Sequence, residues 1–349
     1  MYFMEVYMKL KKFITFMLLI SIFGFSTFAS DFDVNDIMGI ITGTNAKIPE
    51  SFNSENISAG LDDFTFSLIK TAPSTVSHQN MWASAYIGQL LDVPPHLGGG
   101  ISMGMAQLKA DGISAVLKEM GFNYDIKNLF LPTLTFDARI GGLFIPFDLG
   151  VHGMMIKNPL EFNIQETVFS VDYGTVGADI RIPLIKQNVL LPNLSLGFGY
   201  AYSKGNAGIS VQKDTASVTA GYESQILQAT VQVSKKILIV EPFAGVRATL
   251  SSNKRNWAWN YDGAKALDDA KRKKLEDIHG ALDALKDEES FDTGDWSGFG
   301  INKEDPNYTA QLFAGIGFDF LFIAQGTLNV SFDVVNQIWA GGFSFRVKL

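Results

Sequence analysis

Few residue types in this chain are placed to do chemistry. Gly100-Ile101-Ser102-Met103-Gly104 matches G-x-S-x-G, the pattern that exposes a nucleophilic serine when it sits on a sharp strand-to-helix turn. Here the alternation of Ile101, Met103 and Met105 runs straight through the motif, so a strand is expected and the match reads as chance. The four histidines, His78, His96, His152 and His279, include no pair at metal-ligand spacing. His152 follows Asp148 by four residues, which on a strand separates them by about 13 Å, too far for a dyad. The acidic group Asp287, Glu288, Glu289, Asp292 and Asp295 lacks calcium-loop spacing and reads as a solvated turn. No catalytic, cofactor or metal residue is expected, no cofactor, and no enzyme. Zero cysteines exclude a disulfide framework, thiol catalysis, Cys-ligated metals and a lipidated N-terminal cysteine. A net charge of −8 without a basic run argues against nucleic acid.

What remains is a set of charges at alternating positions: Asp137, Arg139, Asp148, Asp172, Asp179, Arg181, Glu241, Arg247, Asp319, Asp333, Arg346 and Lys348. Their meaning depends on the elements that carry them. Lys9, Lys11 and Lys12 precede an apolar run from Phe13 to Phe25, and Thr27 and Ala29 follow at the positions of a small-residue cleavage site. Residues 1–29 are expected to be a signal peptide. Without them the chain carries −10, from 25 basic and 35 acidic residues. After residue 30 no apolar run is long enough for a transmembrane helix.

The remaining chain alternates with period two. Leu194, Leu196, Phe198, Tyr200 and Tyr202 are interleaved with Ser195, Gly197, Gly199, Ala201 and Ser203, and the same holds from Leu227, Tyr308 and Leu328. Each segment has one apolar face and one face of small, polar or charged residues. Strands of about 10 to 14 residues suit a tilted membrane crossing. Trp339, Gly341, Phe343, Phe345, Val347 and Leu349 alternate with Ala340, Gly342, Ser344, Arg346 and Lys348 to the last residue. This terminal strand resembles the C-terminal assembly signal of bacterial outer-membrane β-barrel proteins, although it ends in Leu rather than Phe. The resemblance implies an all-β membrane fold in a diderm bacterium: an up-and-down antiparallel transmembrane β-barrel, porin-like, placed in the outer membrane. Its partners would be outer-membrane lipid and the barrel assembly machinery that reads the C-terminal strand. A signal peptide, an N-terminal plug and a mid-sized barrel also give a distant likeness to the FadL-like transporters, though no motif specific to them is visible.

Candidate strands lie near 80–88, 98–108, 132–141, 143–156, 168–182, 190–203, 209–222, 225–235, 237–250, 307–321, 326–335 and 339–349, about 12, with 14 possible. A short candidate, Phe64 to Leu68, is left out to keep the count even. Residues 30–75 are expected to form a periplasmic or plug segment with a short helix near Asn35 to Ile41, and residues 76–349 the barrel. Apparent phase slips near Gly174 and Lys213 suggest bulges. Counting back from an inward-running last strand places 251–306 outside the cell and 109–131, with a short helix around Ala115 to Met120, as a periplasmic or lumenal excursion. Residues 251–306 hold 22 charges in 56 residues, against 42 in the other 293, so this is an inserted extracellular loop. Leu267, Leu275, Ile278, Leu282 and Leu285 predict an amphipathic helix over 264–287. Trp82 and Trp339 are expected in aromatic girdles, and Trp257, Trp259 and Trp296 as anchors beside the loop.

On this reading Asp137, Arg139, Asp148, Asp179, Arg181, Glu241, Arg247, Asp319, Asp333 and Arg346 line the lumen. Opposed charges there either pair and close it or set a field across a constriction. The expected function is a channel or transporter for small, possibly hydrophobic solutes; the alternative is a structural or adhesive barrel whose surface loop contacts host or matrix ligands. A barrel of this kind should migrate faster on a denaturing gel when unboiled than when boiled, and identical migration of the two would count against it.

Overall fold

The computed structural model describes residues 53–349, apart from 93–95, 121–125, 156–159, 165–166, 212–215, 263–294 and 321–322. The expected signal peptide, the helix at 35–41 and the loop helix at 264–287 lie outside the described residues. All described residues fall within one compact unit, Thr44–Leu349.

The elements are α1 (Ser54–Gln79), β1 (Leu97–Lys109), α2 (Asp111–Glu119), β2 (Asn128–Gly141), β3 (Asp148–Met155), β4 (Leu160–Ile164), β5 (Thr167–Ile185), β6 (Asn193–Val211), β7 (Ala216–Ser234), β8 (Val240–Asp262), β9 (Asp295–Phe320), β10 (Ala324–Asp333) and β11 (Ile338–Lys348). Every pairing is antiparallel, β1 closes on β11, and β3 closes on β5. The result is a closed barrel of ten strands. β4 pairs only with β5 and stands outside the ring, continuing β3 along the same neighbour. Closure gives every ring strand two neighbours, the condition for strands in lipid, and β4 outside the ring keeps one edge unpaired among the described residues.

The expected 12 strands reduce to 10 for two reasons. Met81 to Gly88 is irregular chain inside the barrel, and the expected strand 209–222 is not an element of its own: its first residues end β6 at Val211 and residues 216–222 open β7, each strand running 19 residues. The short candidate at 64–68 belongs to α1, whose buried residues Ile57, Leu61, Phe64, Leu68, Ala72 and Val76 recur at helical spacing. Asn53 caps this helix, its Oδ1 accepting from the backbone of Glu55 and Asn56 at 2.9 and 3.2 Å. The region 251–306 is not all loop either, because β8 extends to Asp262 and β9 starts at Asp295.

Two faces follow from the alternation. Leu194, Leu196, Phe198, Tyr200 and Tyr202 of β6 and Val240, Ala244, Val246, Ala248 and Leu250 of β8 point outward. Beyond them the polarity inverts. On the outer face come Lys204, Asn206 and Ser210 of β6 and Ser252, Lys254 and Asn256 of β8; on the inner face come Ala207, Ile209 and Val211, all buried. The apparent slip near Gly174 is this inversion and not a bulge, since the β5–β6 register is continuous from Thr167 to Pro183. Lys213 lies outside the described residues. A strand leaving lipid exchanges an apolar solvent for water, so the face that is apolar must change while the pleat does not. The strands β5–β9 thus project as a wall past the lipid band, while β1–β3, β10 and β11 are short.

The links 142–147, 186–192, 235–239 and 321–323 lie at the end that holds Leu349. α2, the link 334–337 and the strand ends Asp262 of β8 and Asp295 of β9 lie at the opposite end. α2 is therefore not part of an excursion on the C-terminal side.

Val246→Arg, in the middle of the lipid-facing stretch of β8, should cost about 2–4 kcal/mol in reversible unfolding from vesicles. Asn256→Arg, on the same face of the same strand past the inversion, should change stability by less than about 0.5 kcal/mol.

Candidate functional site

The barrel is occupied by its own chain. α1 packs against β1, β2 and β6–β11, with its N-terminus toward α2 and its C-terminus toward the end that holds Leu349. The chain from Ser77 to Ile87 then crosses the lower lumen. Wall side chains take the bonds that strand neighbours would otherwise make. Arg247 Nη1 donates to Ser77 O at 3.1 Å, Arg346 Nη1 to Met81 O at 2.8 Å and Arg181 Nη1 to Ser84 O at 2.7 Å. Gln232 Nε2 donates to Trp82 O and Ala83 O at 2.7 and 3.1 Å. In return Ala85 N donates to Ser234 Oγ and Ile87 N to Asp148 Oδ2, at 2.9 and 3.1 Å. Higher up, Arg255 Nη1 donates to Asp62 Oδ1 at 3.0 Å and Gln311 Nε2 to Ser74 Oγ at 3.2 Å.

The wall charges form a balanced set. Asp137, Arg139, Asp148, Asp179, Arg181, Glu241, Arg247 and Arg346 are all buried and all point inward. Arg346 grips Asp137 through Nε and Nη2, each at 2.9 Å. Arg139 bridges Asp148 and Asp179, with Nη2 2.7 Å from Asp179 Oδ2, and Arg181 binds Asp148 through Nε at 2.8 Å. Glu241 accepts from Ser84 Oγ at 2.8 Å and from Ser234 Oγ at 3.1 Å. Arg247 has no carboxylate within 4.0 Å among the described residues; it donates to Thr230 Oγ1 at 3.0 Å and its guanidinium lies 5.0 Å from the Phe313 ring. A charge left here with neither counter-ion nor hydrogen bond would cost several kcal/mol, so each is either ion-paired or, as with Arg247 and Glu241, held by polar groups of the wall and plug. Small residues make the room: a Cβ on Gly150 would overlap the Arg139 guanidinium, and one on Gly100 the Arg346 stem. A cavity of about 20 Å³ remains beside Asn80, Arg139 and Asp179, space for about one water.

Of the residues expected along the lumen, two sit at its ends. Asp319 binds Lys236 and, at 3.2 Å, Lys348. Asp333 folds back to cap its own turn, accepting from Val335 N at 3.0 Å and Asn336 Nδ2 at 2.8 Å. Asp172 is not inside at all: it points outward past the inversion and accepts from Asn206 Nδ2 at 3.0 Å.

The tryptophans also move. Trp339 is exposed and stacks on Phe332 at 4.5 Å, as a girdle residue would. Trp82 is fully buried between two guanidinium groups, 4.8 Å from Arg346 and 5.8 Å from Arg139, and belongs to no girdle. Trp257 and Trp259 face inward on β8, and Trp257 Nε1 donates to Asp62 Oδ1 at 2.9 Å. The side chain of Trp296 lies outside the described residues. Ser102 sits within β1, accepting from Arg346 and donating to Asp137, so G-x-S-x-G forms no elbow here. Neither ring nitrogen of buried His152 has a hydrogen-bond partner.

Sequence reasoning missed the plug contacts of Ser77, Met81, Trp82 and Ser84. The available signal was the 80–88 stretch itself, a segment with too little apolar alternation for a lipid-facing strand.

A closed ten-stranded ring has an apolar outside, a charged inside and strands long enough to cross a bilayer. This is the fold of an outer-membrane β-barrel. Such a surface belongs in an outer membrane. No family model and no curated protein matches the chain. Among solved structures it is similar to the outer membrane protease OmpT of Escherichia coli (9% identity, TM-score 0.39, covering 73% of this chain and 97% of that one). It is also similar to the translocator domain of the autotransporter NalP of Neisseria meningitidis (9% identity, TM-score 0.35, 84% and 97%). A third is Ail, the attachment invasion locus protein of Yersinia pestis (9% identity, TM-score 0.22, 72% and 97%).

Arg346→Ala should destabilise the barrel by about 3–5 kcal/mol, because it leaves Asp137 buried without a cation. Adding Asp137→Ala should recover a large part of that loss, and unfolding of the two single variants and the double variant measures it.

Proposed function

We propose that this barrel is an outer-membrane conduit for small solutes whose resting lumen is closed by residues 54–88 of the same chain, and that it is not an enzyme. The observation that carries this reading is how Ser77 to Ile87 is held. Its backbone bonds go to side chains of the wall and not to strand neighbours. Water can replace such bonds, since each guanidinium–carbonyl bond is worth only about 1.5–3 kcal/mol net. Strand pairing in the ring is independent of them, so the plug can shift while the wall stays closed. Once it shifts, the uncovered wall presents arginines and carboxylates around Gly177, Gly197 and Gly199, a polar path with small residues between the charges. Lipid around the girdle and the assembly machinery at β11 are the partners of this reading.

A second reading, a surface barrel that contacts host or matrix, has one observation in its favour: the β5–β9 wall projects past the lipid band with a polar outer face. Deleting 263–294 should then abolish binding to immobilised matrix without loss of the folded barrel.

The two separate in a permeability assay. Ser74 and Gln311 are in hydrogen-bond contact between plug and wall. In this cysteine-free chain, Ser74→Cys with Gln311→Cys allows a short reversible cross-linker to lock the plug. Proteoliposomes holding the unlinked double variant should swell in small solutes, lose that swelling when linked and regain it on reduction. Equal impermeability in both states, with no conductance in planar bilayers, overturns the transport reading.

A further inference from the structure

We propose that the short links at the C-terminal end of the barrel are immersed in the phospholipid leaflet at that end and do not stand in water. Three of the four carry runs of apolar residues at their tips. Phe144 is 83% exposed, Val189 94%, Leu190 88% and Leu238 88%, and the fourth link shows Ile323 in the same way. A single exposed apolar side chain is ordinary, but neighbouring runs at one end of a molecule mark a contact surface.

Three observations identify lipid as what covers them. First, the tips are continuous with the lipid-facing girdle: Leu149, Leu184 and Val240 lead into them on the outer face.

Second, much of the backbone of two of the links is satisfied within the chain, which suits a medium poor in water. In the 186–192 link, Leu190 N and Leu191 N donate to Asn188 Oδ1, each at 2.8 Å, and Gln187 N donates to Asn193 Oδ1 at 2.7 Å. The ammonium of Lys235, from the neighbouring link, donates to the carbonyls of Asn188, Val189 and Leu191 at 2.7, 3.1 and 3.0 Å. The 235–239 link closes through reciprocal bonds between Ile237 and Val240 at 2.7 and 3.0 Å. Leu238 also holds a left-handed backbone, φ 57°, where glycine or asparagine would sit more easily, yet the side chain is leucine.

Third, Lys186 and Lys236 are exposed beside these tips, although Lys236 also pairs with Asp319 and Lys186 Nζ donates to Gln89 Oε1 at 3.4 Å. Lysines flanking an apolar insertion can lay their stems along acyl chains and place their ammonium groups among anionic headgroups.

Single cysteines at Leu190 and Leu238 test this in the cysteine-free chain, with Leu312→Cys as the lipid-facing reference and Asn256→Cys as the water-facing one. Each variant carries an environment-sensitive fluorophore, is checked for folding by heat-modifiable migration, and is reconstituted in phosphatidylethanolamine–phosphatidylglycerol vesicles with brominated acyl chains. Labels at 190 and 238 should emit blue-shifted and be quenched at least half as strongly as at 312. Emission and quenching matching position 256 would overturn the proposal. So would labels that are aqueous in these vesicles but shielded from an impermeant maleimide in native envelopes, which would assign the surface to a protein partner.

Discussion

A bilayer core offers no hydrogen-bond partner to a peptide group, and this structure is organised around that one constraint. It forces the ring to close through β1–β11 and β3–β5, because any open edge would leave a row of bare amides and carbonyls. It places apolar side chains outward on every strand that crosses. It also explains why the polarity of β5–β9 inverts partway along an unbroken register: where water is available again, the outer face has no reason to stay apolar.

Closure creates the second problem, an interior out of reach of bulk water. Four arginines and four carboxylates face into it, and the neutral balance is what makes their burial affordable. The arginines have donors left over after pairing, and those donors are what bind the plug. The same guanidinium of Arg346 grips Asp137, donates to Met81 O and lies over the ring of Trp82. Wall stability and plug retention are thus coupled through single side chains. Trp82 sits where the two meet, its indole ring filling space between charges that would otherwise need water.

Much of this was legible in the residue order. Period-two alternation identified all ten ring strands at least in part, and which of their faces is apolar. The inward direction of Asp137, Arg139, Asp179, Arg181, Arg247 and Arg346 follows from the same parity, since a strand side chain has only two directions available. Where the reading failed, it failed for a physical reason. Residues 80–88 are irregular chain whose backbone is paired with side chains rather than with a ladder. The alternation of β5 seems to slip near Gly174 because solvent, not geometry, changes along the strand. Trp82 and Trp257 were taken for interface residues by type, although both have inward positions.

The sequence by itself determined the fold class, the absence of cysteine chemistry, the lipid-facing girdle and the set of interior charges, because all of these depend on local alternation and composition. Tertiary structure alone decided the strand count, the partner of each charge and the occupation of the lumen by residues 54–88. These are contacts between residues from 9 to 265 positions apart, and periodicity carries no information on which distant side chain will meet which.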